Sequence, residues 1–384
     1  MTVVSPAKYF DHNATSPLRE VARRVFENAL DEAWSNPSSP HASGARCRVL
    51  LEEARKRLSL AINGVSEGMV FTSGATEGNN AVFAHFRDKL ESRAKVAISA
   101  VEHPSVLESA KIRFGQDVLE LPLNQNGALC LDGLADALGE SELGLVSVMA
   151  ANNETGILHP WPEALALCRE ARVPFHCDAT QWIGRMPIDD FGACDLLTGS
   201  FHKLGGPKGV GFLWTSGAES VRWLVGGEQE GGLRAGTENV PAILAAVSAV
   251  EDAALKVQDS TPRDRFETRV KELVSGVQVL GAAVERLPNV SSLILPVCEN
   301  LRWVNRLDRL GFAVSTGSAC ATGKEGPSHV LAAMGLKPEE SRRAVRVSGG
   351  WTNGMEDWLA LADAFGVVFE ELKVEEGDSQ VISL

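Results

Sequence analysis

The sequence predicts an α/β fold in which a mainly parallel central sheet is flanked by helices. Three short apolar runs, at residues 96–99, 145–149 and 210–214, are typical of buried strands. Between the second and third runs, the stretch from Trp161 to Arg172 has the apolar spacing of a helix, and Pro162 suits its first turn. Strands that alternate with helices along a chain favour a parallel sheet covered by helices.

The C-terminal part of the chain is expected to form a second, smaller α+β unit. A polar stretch at residues 258–262 interrupts the helical pattern and indicates a boundary. It is followed by a helix, a strand-like run at residues 291–295 and a closing helix from about Met355. The larger unit should therefore end near residue 257.

The charge of the chain argues against nucleic acid as a ligand. Its 384 residues carry a formal net charge of −13, and the basic runs Arg23-Arg24 and Arg342-Arg343 are short. Contact with a phosphate backbone needs clustered lysine and arginine side chains. We therefore expect no nucleic-acid partner.

The cysteines and the lengths of the apolar runs indicate the cellular compartment of the protein. Seven cysteines are scattered along the chain without a Cys-x-x-Cys pair, which predicts neither a disulfide framework nor a zinc site. Free thiols persist in a reducing environment. No secretory signal and no apolar run long enough to span a bilayer is visible. A cytoplasmic protein without a membrane partner is expected.

The segment Ser200-Phe201-His202-Lys203 carries the strongest chemical signal. It follows Asp178, at the end of a strand-like run, and Gln181. This series offers a lysine able to form an imine, a carboxylate for a ring nitrogen, and a hydroxyl and an imidazole for a phosphate. Pyridoxal phosphate needs that combination. The tetrapeptide alone would also fit a surface turn with a solvated lysine, but the ordered series favours a cofactor site.

A second phosphate-binding element is predicted at Gly74-Ala75-Thr76. This segment follows the strand-like run 69–72 and precedes a helix. Backbone amides at a helix N-terminus favour a bound phosphate. In an open α/β sheet, such loops meet at the carboxyl ends of the strands, so both elements should face the same site.

Seven further segments point to one family. They occur in the order Phe10–Thr15, Thr72–Asn80, Glu102–Val106, Asn152–Gly156, Arg234–Asn239, Ser315–Cys320 and Val345–Ser348. From about Tyr9 to about Thr352, the chain resembles the cysteine desulfurases of the nitrogen-fixation and iron–sulfur-assembly type, within the class V aminotransferase superfamily. Several segments that match in order are far more specific than any one of them.

The resemblance implies the type I fold of pyridoxal-phosphate enzymes and a homodimer. It also implies that the first fifteen or so residues pack with the C-terminal unit. The expected division is a large cofactor-binding domain at residues 16–257 and a small domain formed by residues 1–15 and 258–384. The implied reaction converts L-cysteine to L-alanine, and the sulfur passes to a protein acceptor such as an iron–sulfur scaffold.

The resemblance further implies a role for each site residue. Lys203 would bind the cofactor covalently, Asp178 would pair with its ring nitrogen, and Gln181 would hydrogen-bond its phenolic oxygen. His103 would stack on the ring and shuttle protons. Asn153 and Arg346 would hold the substrate carboxylate. The cofactor phosphate would be held by the backbone amide of Ala75, by the side chains of Thr76, Ser200 and His202, and by Thr237 from across the dimer interface.

Cys320 would distinguish the chain from an ordinary aminotransferase. It lies in the Gly- and Ser-rich stretch 315–326, where we expect a mobile loop rather than an apolar core. The thiolate form of cysteine is the nucleophile. The resemblance implies that Cys320 takes the sulfur of substrate cysteine and holds it as a persulfide. Cys177, next to Asp178, is interpreted as a packing residue.

Two departures from the family pattern leave alternatives open. Glu228 stands where family members usually carry glycine, and Gly231 stands where they carry arginine. The acidic C-terminus, residues 374–384, shows no family signature, so the sulfur acceptor is not identified. Selenocysteine lyase, or a lyase for a related sulfur amino acid, is the near alternative. A catalytically silent scaffold for sulfur assembly is the alternative of another class.

Overall fold

Seven strands form the central sheet of the protein. The computed structural model describes residue 5 and residues 8–90, 94–188, 190–217, 219–256, 259–317 and 328–382. Within these ranges, the strands of the central sheet are β1 (Met69–Thr72), β2 (Lys95–Ser99), β3 (Val118–Leu121), β4 (Leu143–Ser147), β5 (Phe175–Asp178), β6 (Leu196–Ser200) and β7 (Gly211–Thr215). Their order is β1-β7-β6-β5-β4-β2-β3.

The sheet is mainly parallel, as the alternation of strands and helices predicts. The pairs β2–β3, β2–β4, β4–β5 and β5–β6 are parallel. Only the pairs that involve β7, with β6 and with β1, are antiparallel among the described strands of this sheet. Most strands therefore end at the same edge, which brings the loops after them together.

Seven helices cover this sheet or extend from it. They are α1 (Glu20–Glu32), α2 (Ala42–Ala61), α3 (Ala75–Lys89), α4 (Pro104–Phe114), α5 (Leu131–Glu140), α6 (Trp161–Ala171) and α7 (Val240–Ala254). One apolar core contains residues of α1, α2, α5, α6 and α7, and a second contains residues of α3 and α4. Alternate strand residues enter the two cores: Ala97 faces the first, and Val96 and Ile98 face the second. Burial on both faces explains the continuous apolar runs in the sequence.

A separate core lies in the C-terminal part of the chain. Here β8 (Gln278–Val279), β9 (Val290–Ile294) and β10 (Ala344–Ser348) form an antiparallel sheet with β9 in the centre. The helices of this part are α8 (Thr261–Leu273), α9 (Asn300–Arg309), α10 (His329–Ala333), α11 (Pro338–Ser341) and α12 (Met355–Ile382). Apolar residues of α8, α9 and α12 pack against the sheet.

The N-terminal segment joins this C-terminal core. Tyr9 and Asp11 form isolated bridges with Ala313 and Ser348. Phe10, between them, is fully buried and packs edge-on against Trp358, with ring centroids 5.0 Å apart. The domain division at residues 15–16 and 257–258 remains a prediction.

Several boundaries differ from the sequence-based expectations. β4 covers Leu143–Ser147, whereas the apolar run predicts a strand that extends to Met149. α6 ends at Ala171 because Arg172 adopts a left-handed conformation (φ +58°). Element ends depend on local backbone geometry that apolar periodicity does not encode.

No helix in the described ranges has the length and apolar character needed to cross a membrane. The six cysteines in these ranges are free thiols.

Phe10→Ala should lower the free energy of unfolding by about 3–5 kcal/mol, because it leaves a cavity in the C-terminal core. Urea unfolding followed by circular dichroism measures the effect. Phe10→Leu is the matched control and should cost less than about 1.5 kcal/mol, since it keeps most of the apolar volume. An alanine variant as stable as the wild type would show that the N-terminal segment does not contribute to this core.

Candidate active site

A cavity of about 870 Å³ lies at the carboxyl edge of the central sheet. Its volume falls in the range of small-molecule sites, roughly 300–1,000 Å³. Ten of the twelve predicted site residues line it: Ala75, Thr76, His103, Asn153, Asp178, Gln181, Ser200, His202, Lys203 and Arg346. They come from loops after five strands and from β10, so the fold brings together residues up to 271 positions apart (346 − 75).

Lys203 lies in a short turn directly after β6. Its amine donates hydrogen bonds to the backbone carbonyls of Asn13 (2.7 Å) and Ala14 (2.8 Å). The N-terminal segment therefore holds the lysine side chain at the wall of the cavity. Gln181 is held by the same segment, because its amide nitrogen donates to the carbonyl of Asn13 at 3.0 Å.

Asp178, the last residue of β5, is fixed by two hydrogen bonds. Its Oδ2 accepts from the Asn79 side chain at 2.8 Å, and its Oδ1 accepts from the Thr180 backbone amide at 2.9 Å. Only 5% of Asp178 is exposed. The carboxylate thus has a defined orientation at the cavity wall.

One end of the cavity can hold an anion. Here the N-terminus of α3, with Gly74, Ala75 and Thr76, faces Ser200 and His202. A Cβ atom at Gly74 would lie 3.6 Å from the Ser200 hydroxyl, so a side chain there would narrow the space between helix and strand. The aligned amides of a helix N-terminus favour negative charge.

His202 is uncharged at this anion-binding end. Burial, followed by the positive charges of Lys203 and Lys208, lowers the pKa of His202 to about 4. Its Nδ1 is hydrogen-bonded to the hydroxyl of Thr15 at 3.0 Å. The imidazole can therefore act as a neutral hydrogen-bond donor.

His103 caps the N-terminus of α4 and is part of a hydrogen-bond chain. Its Nδ1 accepts from the Ser105 amide at 3.1 Å and lies 2.8 Å from the Ser105 hydroxyl. That hydroxyl accepts from Asn79, which also donates to Asp178. The neutral ring consequently carries its proton on Nε2. Burial lowers the pKa of His103, and Lys203 lowers it further although Asp178 opposes the shift.

Arg346, in the centre of β10, is buried, and both of its Nη groups already have hydrogen-bond partners. Its Nη2 donates to Asp11 at 2.8 Å, and its Nη1 donates to the carbonyls of Asn153 (3.0 Å) and Gly317 (2.7 Å). Its Nε has no hydrogen-bond partner in the described structure. One donor of the guanidinium is therefore unpaired among the described residues.

Comparison with known proteins identifies the family. The model of the class-V aminotransferases matches residues 8–361. The chain belongs to this family. It is 36% identical to the cysteine desulfurase IscS of Dictyoglomus turgidum, over 95% of each chain, and 36% identical to cysteine desulfurase IscS 1 of Archaeoglobus fulgidus, over 95% of this chain and 97% of that one.

Solved structures agree with this assignment. A NifS-like protein superposes with a TM-score of 0.87 at 29% identity and covers 95% of this chain and 99% of its own. The NifS-like protein from Rickettsia africae gives a TM-score of 0.85 at 30% identity, with the same coverage. The type I fold of pyridoxal-phosphate enzymes expected from the sequence is thus confirmed.

The cavity fits the pyridoxal phosphate that members of this family use. Four buried polar atoms of its lining lack a partner in the described structure: Asn13 Oδ1, Thr180 Oγ1, Gln181 Oε1 and Arg346 Nε. An unmet buried polar group costs about 1–3 kcal/mol. These atoms, with an amine, a carboxylate and an anion-binding helix end, favour a polar ligand that carries a phosphate.

Two predicted residues do not join the cavity. Thr237 is exposed and does not line it within this chain. Cys320 lies outside the described residues. Both roles remain predictions.

Sequence reasoning missed the residues that support the site from behind. Asn79 and Ser105 form the chain between Asp178 and His103, and Asn13 holds Lys203 and Gln181. All three occur in the segments that carry the family resemblance, but their roles depend on contacts between distant segments. No local pattern identifies such contacts.

Glu77 anchors the first turn of α3, next to Thr76. Its Oε1 accepts from Arg234 (3.0 Å) and Trp223 (2.9 Å), and its Oε2 accepts from the Ser73 amide at 2.7 Å. Burial opposes ionisation, but the hydrogen bonds from Arg234, Ser73 and Trp223 outweigh it and lower the pKa of Glu77 to about 2. Glu77 therefore ties the phosphate-binding turn to the segment that carries Thr237.

Glu77→Gln should lower the free energy of unfolding at pH 7 by about 2 kcal/mol. A carboxyl group whose pKa is lowered by folding stabilises the folded state at pH values above its ordinary pKa of 4.5. This stabilisation is lost as the pH falls toward the folded-state pKa of about 2. The difference between wild type and variant should therefore be constant from pH 7 to 5 and shrink below 4.5. Urea unfolding at several pH values tests this, with the exposed Glu170→Gln as control. A difference that grows as the pH falls would contradict the anchor.

Proposed function

We propose that this class-V aminotransferase is a pyridoxal-phosphate-dependent cysteine desulfurase. It converts L-cysteine to L-alanine and holds the sulfur as a persulfide on Cys320, for transfer to a protein acceptor such as an iron–sulfur scaffold. The observation that carries the proposal is the convergence of Lys203, Asp178 and Arg346 on one cavity. The names of the curated relatives support the same reaction.

Different residues around the cavity would bind different parts of the cofactor. Lys203 would hold it covalently, Asp178 would face its ring nitrogen, and Gln181 its phenolic oxygen. The α3 N-terminus, Thr76, Ser200 and His202 would bind its phosphate, and Ala75 would contribute its amide. When bound, the cofactor supplies a cationic ring that withdraws electrons from the substrate α carbon.

Arg346 and Asn153 would orient the substrate. Arginine suits a carboxylate because its planar guanidinium presents parallel donors. Asp11 holds one Nη group of Arg346, and the carbonyl of Asn153 accepts from the other. The unpartnered Nε therefore remains for the substrate. The arginine is held in place before the substrate arrives, which lowers the entropic cost of binding.

His103 would stack over the ring and present its Nε2–H there. Its Nδ1 is occupied by the Ser105 amide, so the ring is fixed in one orientation. Because its pKa lies below the ordinary value, the ring is neutral at pH 7, and its Nε2–H can donate a hydrogen bond to a group at the ring. Lys203 would move protons at the substrate α carbon.

Cys320 would perform the sulfur transfer. Its thiolate would bond to the sulfur of the substrate, the Cβ–S bond of the substrate would break, and the carbon would take up a proton and leave as alanine. A serine hydroxyl cannot accept sulfur in this way.

Cys320→Ser should retain the cofactor but release alanine at least roughly 100-fold more slowly than the wild type, because the nucleophile is lost. Alanine formation, persulfide labelling and the cofactor absorption spectrum provide the measurements. Lys203→Ala is the matched control and should lose both the covalently held cofactor and turnover. Alanine release by the serine variant at the wild-type rate would favour a lyase and exclude a persulfide on Cys320.

We also propose a homodimer in which Thr237 completes the phosphate site of the partner subunit. Thr237 is exposed and outside the cavity of its own chain. The anchor from Glu77 to Arg234 places its segment beside the α3 N-terminus. A two-fold interface would supply one Thr237 to each site.

Mixed dimers test this arrangement. At a limiting concentration of cofactor, Thr237→Ala should bind it roughly tenfold more weakly, because one phosphate contact is lost. Lys203→Ala should be inactive. If Thr237 acts across the interface, a mixed dimer has one intact site. Because random exchange in an equal mixture makes half of the dimers mixed, activity should rise to roughly one quarter of the wild-type level. If mixing restores nothing although mixed dimers form, Thr237 acts within its own chain or not at all.

A further inference from the structure

A buried arginine lies behind Lys203. Arg185 follows β5 and is only 4% exposed. Its Nη1 donates to the carbonyl of Gln181 at 2.7 Å, and its Nη2 lies 3.4 Å from the carbonyls of His12 and Lys203. One side chain thus reaches the backbone of two cavity residues and of the residue before Asn13.

Arg185 has no carboxylate partner within the described ranges, unlike its buried neighbours. Arg19 pairs with Asp252, and Arg346 pairs with Asp11, each at 2.8 Å. Among the described residues, no ion pair forms with Arg185, and its hydrogen bonds go to backbone carbonyls. A buried cation without a counter-ion is costly to a fold. The hydrogen bonds of Arg185 to backbone carbonyls do not explain why a cation is buried here, so we expect its charge to have a role.

The surroundings of Arg185 reinforce its positive charge. Burial lowers the pKa of Arg185 to about 9, and the charges of Arg19 and Arg346 add to the shift, so the group is still charged at neutral pH. His12 supplies no compensation, because burial and the neighbouring arginines lower its pKa to about 3 and keep it neutral. The charged and titratable groups around the guanidinium are Arg19 from the N-terminus of α1, His12, His202 and Lys203 after β6, and Arg346 from β10.

We propose that Arg185 is a positioning residue of the cofactor lysine: it fixes the backbone of Gln181 and Lys203, and its positive charge at neutral pH acts on the Lys203 amine from the side of that backbone. A like charge disfavours the protonated form of an amine. Only the neutral amine can attack an aldehyde or accept a proton, so this charge keeps Lys203 reactive at neutral pH. The inference deepens the proposed function, since it assigns the group that prepares Lys203 for its role.

Competitive labelling of the cofactor-free full-length chain tests the charge directly. Trace acetic anhydride reacts only with neutral amines, and mass spectrometry of the Lys203 peptide gives the labelled fraction at each pH. In Arg185→Gln, the midpoint of the labelling curve should move to higher pH, with roughly tenfold less labelling of Lys203 at pH 7. Arg185→Lys keeps the charge only in part, because the burial that lowers the arginine pKa also lowers that of a lysine, so its midpoint should lie between those of the wild type and the glutamine variant. The exposed Lys208, in the same samples, should label equally in all variants.

The outcomes separate the proposal from a merely structural role. A glutamine variant that labels Lys203 like the wild type across the pH range overturns it, as does a methionine variant with the wild-type labelling curve. Circular dichroism confirms that the variants are folded, and Arg185→Met supplies a second neutral replacement where glutamine impairs folding. The readout requires neither cofactor nor turnover, so it can succeed or fail independently of the desulfurase assignment.

Discussion

The side chain of Asn79 is the junction on which the geometry of the site depends. Its amide nitrogen donates to Asp178 (2.8 Å) and Ser105 (2.9 Å), and its carbonyl oxygen accepts from Thr198 at 2.6 Å. Asn79 belongs to α3, and its partners belong to β5, β6 and α4. One fully buried amide therefore fixes the relative positions of four elements. The side chain uses both amide protons and its carbonyl, so it cannot be shifted without leaving a buried polar group unpaired.

This junction links groups with different chemical tasks. Through Asn79, the carboxylate of Asp178 is connected to the hydroxyl of Ser105 and thus to His103. The orientation of the Asp178 carboxylate and the tautomer of the His103 imidazole are consequently set together. A network in which each member is satisfied becomes rigid, which suits a site that must hold reacting groups within a fraction of an ångström.

The sequence predicts the parts of this site that follow a strand. Asp178, Ser200 and the 74–76 turn each come directly after an apolar run, and a mainly parallel sheet brings the ends of such runs to one edge. The reversed direction of β7 could not be predicted, because an apolar run that is buried on both faces has no pattern that depends on chain direction. The link from Asn79 to Ser105 joins residues 26 positions apart, and only tertiary packing shows it.

Arg185 shows the same limit more clearly. In the sequence it is one arginine in a turn, with nothing to distinguish it from a solvated residue. Its burial, and the absence of a counter-ion in the described ranges, follow from contacts with segments 173 residues before it and 18 residues after it. Electrostatic roles of this kind arise from the arrangement of elements and leave no local pattern.

The N-terminal segment connects the C-terminal core to the central sheet. Phe10 lies in the C-terminal core, whereas the carbonyls of Asn13 and Ala14 accept from Lys203 after β6 of the central sheet. Between them, Asp11 pairs with Arg346. Five consecutive residues therefore connect the C-terminal core, the proposed substrate-binding arginine and the proposed cofactor lysine. A displacement of this segment would move Arg346 and Lys203 relative to each other, so the distance between these two side chains depends on how the segment packs between the C-terminal core and the central sheet.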